Sequence, residues 1–212
     1  MRLIILALCL SFPICSLGAH SGEDYFNKTL DTYASLSMYK DKGVSRKKYS
    51  DHTKTTLFTT SRVKGGDFEF TWSTQPDELE KRYGMKANHN RYYKNADGIY
   101  IKYAHSDTPE QYDLHFYAIS AAHGVSDTLV FYIPKFLVDN NILPPHGSDS
   151  AEIINIDNDS VTLRLVILDR IEFVPTIDLA SSLITRYVLR RINTHNAEHE
   201  QIVDIEILDY AK

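Results

Sequence analysis

The 212-residue chain has two cysteines, Cys9 and Cys15, and none after them. Both lie in the opening "MRLIILALCLSFPICSLGAHSGED", where Arg2 precedes an apolar run from Leu3 to Cys15 and then small residues lead to Ser21. That layout predicts a secretory signal peptide over 1–21, cut after Ser21 or two or three residues earlier. Beyond it the chain can form neither a disulfide nor a thiolate metal site, so its fold must stand on its core alone. Phe12, Pro13 and Ile14, rather than small residues, precede Cys15, which argues against lipidation there. Long hydrophobic runs are also missing: Leu3 to Cys15 is too short to span a bilayer and no later segment approaches the needed length. Lys/Arg-rich blocks are absent and the net charge is −5, which argues against a nucleic-acid partner. Linkers, low-complexity tracts and repeats are lacking too, so 22–212 is expected to form a single exported domain with no membrane span.

What is present begins with "GEDYFNKTLDTYASLSMY", where Phe26, Leu30, Tyr33 and Ser37 recur at helical spacing, predicting an amphipathic helix from Glu23 to about Leu36. Strand patterns follow. "KGVSRKKYS" is polar and reads as an edge or early strand; "KTTLFTTSRV" alternates; Gly65-Gly66 then turns the chain into "DFEFTW" as a hairpin. A second hairpin is expected in "RYYKNADGIYIKYAH", turning at Asn95 to Gly98. The period then changes to 3.6: Thr108-Pro109-Glu110-Gln111 resembles a capping box, with Tyr112, Phe116 and Ile119 continuing a helix to Gly124. Another helix is expected in "TLVFYIPKFLVDNN", with Leu129, Ile133, Phe136 and Leu137 on one side and a kink at Pro134. The last third reads as strands: two around Asp157-Asn158-Asp159, a hairpin turning near Ala180 to Ser182, and a closing "QIVDIEILDY".

Sequential strands joined by short turns make an antiparallel meander, which must curl or be covered to bury its apolar face. The expected fold is therefore α+β: a strongly curved antiparallel sheet, an incomplete β-barrel, with an N-terminal helix and an inserted helical pair covering the concave face.

Several blocks, in order, resemble an uncharacterised periplasmic family with the fold of the outer-membrane lipoprotein carriers, the LolA/LolB-like fold. They are Tyr39-Lys40-Asp41-Lys42-Gly43, similar to that family's turn at the end of a helix; Phe58-Thr59-Thr60; the Phe68, Phe70, Trp72 strand; the Asp-Gly hairpin in "YKNADGIYIKYAH"; "AISAAHGVSDTLVFYIPKFLVDN"; and "PTIDLASSLITRYV". Lys64-Gly65-Gly66 stands where the family has an Arg-Pro, and no residue matches the groove arginine of the true carriers.

The resemblance implies a periplasmic protein whose concave face binds a lipid, an acyl chain or an acylated protein, with the helices as a lid. Phe58, Phe68, Phe70, Trp72 and Tyr103 from the strands, with Phe116, Leu129, Ile133 and Phe136 from the helical pair, are the residues expected to line the groove. Their alternative role is ordinary core, in a filled version of the fold that acts through contacts with an envelope protein.

Catalysis, cofactor and metal are not expected. His195 and His199 have zinc-like spacing but fall between two strands, and Asp157-Asn158-Asp159-Ser160 lacks the Gly and distal Glu of a calcium loop. His115, His123, Ser120 and Ser126 come without a nucleophile elbow or an ordered acid partner. Asn27-Lys28-Thr29 and Asn158-Asp159-Ser160 match the glycosylation sequon.

Overall fold

A computed structural model describes residues 20–49, 51–112, 151–167, 171–191 and 202–211. In chain order the elements are α1 (Gly22–Ser35), β1 (Met38–Lys48), β2 (Thr53–Val63), β3 (Phe68–Thr74), α2 (Glu78–Arg82), β4 (Asn90–Asn95), β5 (Gly98–Lys102), β6 (Glu110–Tyr112), β7 (Glu152–Ile156), β8 (Ser160–Ile167), β9 (Ile171–Asp178), β10 (Ile184–Arg191) and β11 (Ile202–Ala211).

Helix α1 starts where its orphan amides find acceptors. The Ser21 side chain accepts from the Asp24 amide at 3.1 Å and the Asp24 carboxylate accepts from the Ser21 amide at 2.8 Å, a reciprocal capping box. Glu23 and Asp24 place negative charge at the positive end of the helix dipole. The last turn carries no basic residue of its own. Strand β2 and the turn after it supply the cations instead: Arg62 Nη1 donates to the Leu36 carbonyl at 3.3 Å and Lys64 Nζ to the Ala34 carbonyl at 2.8 Å. The buried stripe is Phe26, Thr29 and Tyr33. Gly22 lets the first turn seat directly on Ala151, whose carbonyl oxygen a β-carbon would overlap.

The described strands belong to one open antiparallel sheet in the order β6-β5-β4-β3-β2-β1-β11-β10-β9-β8-β7. It is a meander in two arms joined where the C-terminal β11 returns beside β1. Helix α1 reaches from Ala151, just ahead of β7, to the Arg62 contact on β2. Fourteen residues make a helix about 21 Å long, whereas β7 to β2 is six strand spacings, about 29 Å along the sheet. The sheet therefore curls around α1. Strand alternation then sends Phe58, Phe70, Trp72, Leu163, Phe173 and Tyr187 inward, each at most 2% exposed. Outward it presents ion pairs such as Arg46–Glu206 at 3.1 Å, Arg186–Asp204 at 2.6 Å and Arg91–Glu69 at 2.7 Å.

The α+β class and the open, curled sheet agree with the sequence reading; several elements do not. The polar "KGVSRKKYS" segment falls in the first strand but not at an edge: β1 lies in the middle of the sheet between β2 and β11. Its pairing with β11 joins segments about 160 residues apart, and local pattern carries no trace of it. Lys42 and Arg46 face outward to acidic partners on β11, Asp209 at 3.0 Å and Glu206 at 3.1 Å, whereas Lys47 is buried. Tyr39 to Gly43 lies within β1 rather than in a turn ending a helix. The capping-box-like start at Thr108 does not open a helix either. Glu110–Tyr112 is β6, paired with β5, because the free edge of the second hairpin offers ladder hydrogen bonds that outweigh a local helix signal. The short α2, capped by Asp77 and Glu80, was not expected in the polar stretch after β3. The remainder of the predicted helical pair, residues 113–140, lies outside the described residues.

Candidate functional site

Cross-strand register fixes the inner face of β2–β5. Phe58 stands opposite Trp72 and Thr60 opposite Phe70; Phe70 in turn faces Tyr92, which faces Ile101. Phe58 and Phe70 stack with centroids 5.9 Å apart, Phe70 and Trp72 at 5.6 Å, and Phe68 meets Tyr92 edge-on at 5.5 Å. These separations are those of favourable aromatic pairs, so the rings hold one another in place. Gly43 makes room for them: the Phe58 ring lies across it, where a β-carbon would overlap the ring edge.

Beside the rings runs a buried polar strip on β1 and β2. Asp41 is 6% exposed, and its Oδ2 accepts from the Tyr39 hydroxyl at 2.7 Å. Burial pushes the Asp41 carboxyl up to about 6, with the Tyr39 and Thr60 hydroxyls holding it back. Burial raises the Tyr39 and Tyr187 phenols as well, and the Asp41 charge adds to both shifts. Tyr33 ties the strip to α1: its ring packs on Tyr39 at 5.3 Å and its hydroxyl accepts from the Ile184 amide at 3.2 Å. Asp41 Oδ1, Thr60 Oγ1, Ser45 Oγ and Asn90 Nδ2 are buried without a well-formed hydrogen bond among the described residues, although the Thr60 hydroxyl is near enough to the Asp41 carboxylate to favour its charged form.

The structure brings together five of the nine residues predicted to line a groove: Phe58, Phe68, Phe70, Trp72 and Tyr103 share one buried face, none more than 8% exposed. Phe116, Leu129, Ile133 and Phe136 lie outside the described residues, as do His115, His123, His195, His199, Ser120 and Ser126. Asp157 to Asp159 forms the hairpin turn between β7 and β8, the Asp157 amide donating to the Ser160 carbonyl at 2.8 Å. No group of three or more metal-ligating side chains occurs among the described residues.

Sequence reasoning passed over Asp41, Ser45 and Thr60. The signal is there in alternation, since Tyr39, Asp41, Ser45 and Lys47 share a face, but the resemblance put Asp41 in a turn and the polar pattern put Ser45 on an edge or early strand. An open groove of about 700 Å³ is lined by Leu57, Thr59, Thr71, Arg91 and Lys102 and also touches Phe58, Trp72 and Tyr103.

The sequence matches no protein-family model and no curated protein. Among solved structures, the chain is similar to MucB of Pseudomonas aeruginosa in its complex with MucA, at 10% identity and TM-score 0.43, covering 90% of this chain and 56% of that one. It is similar to MucB in a second crystal structure at 10% identity and TM-score 0.48, covering 90% and 58%. It also resembles a LolA superfamily protein from Nitrosomonas europaea, at 9% identity and TM-score 0.38, covering 91% and 93%. The chain thus spans little more than half the length of the MucB chains. Likenesses at these identities and TM-scores assign neither a family nor a cargo. No described helix is long and apolar enough to cross a membrane.

Proposed function

We propose that residues 22–212 form one exported, periplasmic domain that binds an apolar ligand, a lipid or acyl chain, on the inner face of β2–β5, as a carrier or sensor rather than an enzyme. The observation that carries this reading is the sheet of stacked rings, Phe58, Phe70 and Trp72 with Phe68 and Tyr92, on the concave side of an open sheet. Aromatic and aliphatic side chains in such a hollow lose little by meeting an alkyl chain instead of one another. They gain roughly 25 cal/mol for each Å² of apolar ligand surface covered.

One observation favours a second reading. The same rings are already between 0 and 5% exposed without a ligand, so an entering chain must displace packing rather than coat open surface. A protein of this fold with a filled hollow would act through an envelope protein partner instead. Native mass spectrometry of protein gently extracted from its host separates the two. The carrier reading expects a co-purifying lipid; a ligand-free spectrum, with no uptake of a fluorescent fatty acid, assigns the rings to core.

A further inference from the structure

Among the buried side chains, Asp41 and Thr60 stand out because they are polar, adjacent and incompletely bonded on a face otherwise made of rings. They lie directly opposite each other in the β1–β2 pairing, 6% and 2% exposed. Asp41 Oδ2 is taken by Tyr39, while Asp41 Oδ1 and Thr60 Oγ1 lie beside each other with no well-formed hydrogen bond to either among the described residues. Native interiors seldom leave such atoms unmatched, since each has given up its water. From Asp41 the register continues through Thr60, Phe70, Tyr92 and Ile101, each opposite the next. That row crosses four strand spacings, about 19 Å, polar at one end and apolar along the rest.

We infer that the ligand is an amphiphile whose polar end is a hydrogen-bond donor, a hydroxyl or an amine, seated against Asp41 and Thr60 with its chain along the Phe70 row. The inference rests on the apolar-ligand reading above and adds the class of head group. The phenols of Tyr39 on its own strand and Tyr187 from β10 lie near Asp41. Two cations are buried on the same face, Arg62 opposite Tyr39 and Lys47 two residues beyond Ser45; Arg62 donates to the Leu36 carbonyl and Lys47 lies over the Tyr49 ring, and neither is among the groups that shift the Asp41 carboxyl. A carboxylate or phosphate head placed against Asp41 would therefore meet its charge first, whereas a hydroxyl or ammonium supplies the donor that Oδ1 lacks. Sites that discriminate in this way do so because the wrong ligand leaves a buried group unpaired.

The test compares three probes of equal chain length, a monoacylglycerol, an alkylamine and a fatty acid, titrated into the full protein at pH 8. The monoacylglycerol and the alkylamine are expected to bind at least about tenfold more tightly than the fatty acid, the worth of one hydrogen bond to a charged group. Asp41→Asn and, as a second variant, Thr60→Val are expected to narrow that ratio while chain-length dependence persists. Equal affinity for all three probes in the unaltered protein overturns the head-group assignment and leaves the apolar-ligand reading standing. An unchanged ratio in both folded variants removes the assignment from Asp41 and Thr60. Failure of all three probes to bind overturns the apolar-ligand reading and this inference with it.

Discussion

Under α1 the inner face is largely aliphatic, with Val161, Leu163 and Leu165 on β8, Ile177 on β9 and Leu189 on β10, and with Phe173 and Tyr187 set among them. On β2–β5 the same face is carried by rings, Phe58, Phe68, Phe70, Trp72 and Tyr92, and the polar atoms of Asp41 and Thr60 stand where the two halves meet. The aliphatic half has an evident partner. Phe26 of α1 meets Phe173 edge-on at 6.2 Å, Phe173 meets Tyr187 at 5.7 Å, and Tyr33 bonds the backbone of β10. The contrast teaches that burial alone does not divide core from binding face, because the rings of β2–β5 are as buried as the aliphatic side chains beneath α1.

The strongest way to break the comparison is to damage each half in turn. Phe173→Ala is expected to cost about 3–5 kcal/mol, the usual loss for a buried phenylalanine, while leaving the ratio of affinities among lipid probes unchanged; chemical denaturation and a binding titration read the two effects. A selective loss of binding with little loss of stability would move the ligand under α1.

The boundary residue comes next. Burial holds the Asp41 carboxyl at about 6, against an ordinary value of 3.8. Between those values the folded chain takes up the proton that the unfolded chain releases. The contribution of Asp41 to stability is therefore fully present below pH 3.8 and is lost as pH rises through about 6. The loss amounts to about 3 kcal/mol by pH 7. Asp41→Asn removes the titration, so the variant should gain on the unaltered protein as pH rises from 4 to 7. Parallel stability curves would show that the carboxyl is not held in this way.

Trp72→Ala follows. If the aromatic half is a binding face, lipid affinity should fall by about tenfold or more, with a stability cost well below the 3–5 kcal/mol of a core truncation. The reverse pattern would place Trp72 in the core with Phe173. The smallest effect is expected at the N terminus: Ser21→Ala breaks the capping box of α1 and should cost about 1 kcal/mol. Chemical denaturation of the variant reads this loss, and an unchanged unfolding midpoint would show that the cap contributes nothing.

Much of the fold was legible because its signals are local. Alternation in "KTTLFTTSRV" and "DFEFTW", the Gly65-Gly66 turn and the Asn95 to Gly98 turn specify β2 to β5 with their inward faces, and Phe26 and Tyr33 specify the buried stripe of α1. What was not legible depends on distant partners. Strand β1 reads as a polar edge until β11 returns to pair with it, and Glu110–Tyr112 reads as helix until β5 offers it an edge. The candidate site divides in the same way. Its rings were found because rings on one strand announce a face, whereas Asp41 and Thr60 were missed because only the central placement of β1 buries them.

Trp72 is the only tryptophan in the chain and lies 1% exposed in the middle of the ring stack. It is therefore a built-in reporter of what enters the hollow. Titration with an amphiphile brominated along its alkyl chain is the most direct measurement of the central claim. The account predicts saturable quenching of Trp72 fluorescence, reversed by an unbrominated competitor. An unquenched Trp72 in the folded protein, at amphiphile concentrations up to the solubility limit, would contradict it.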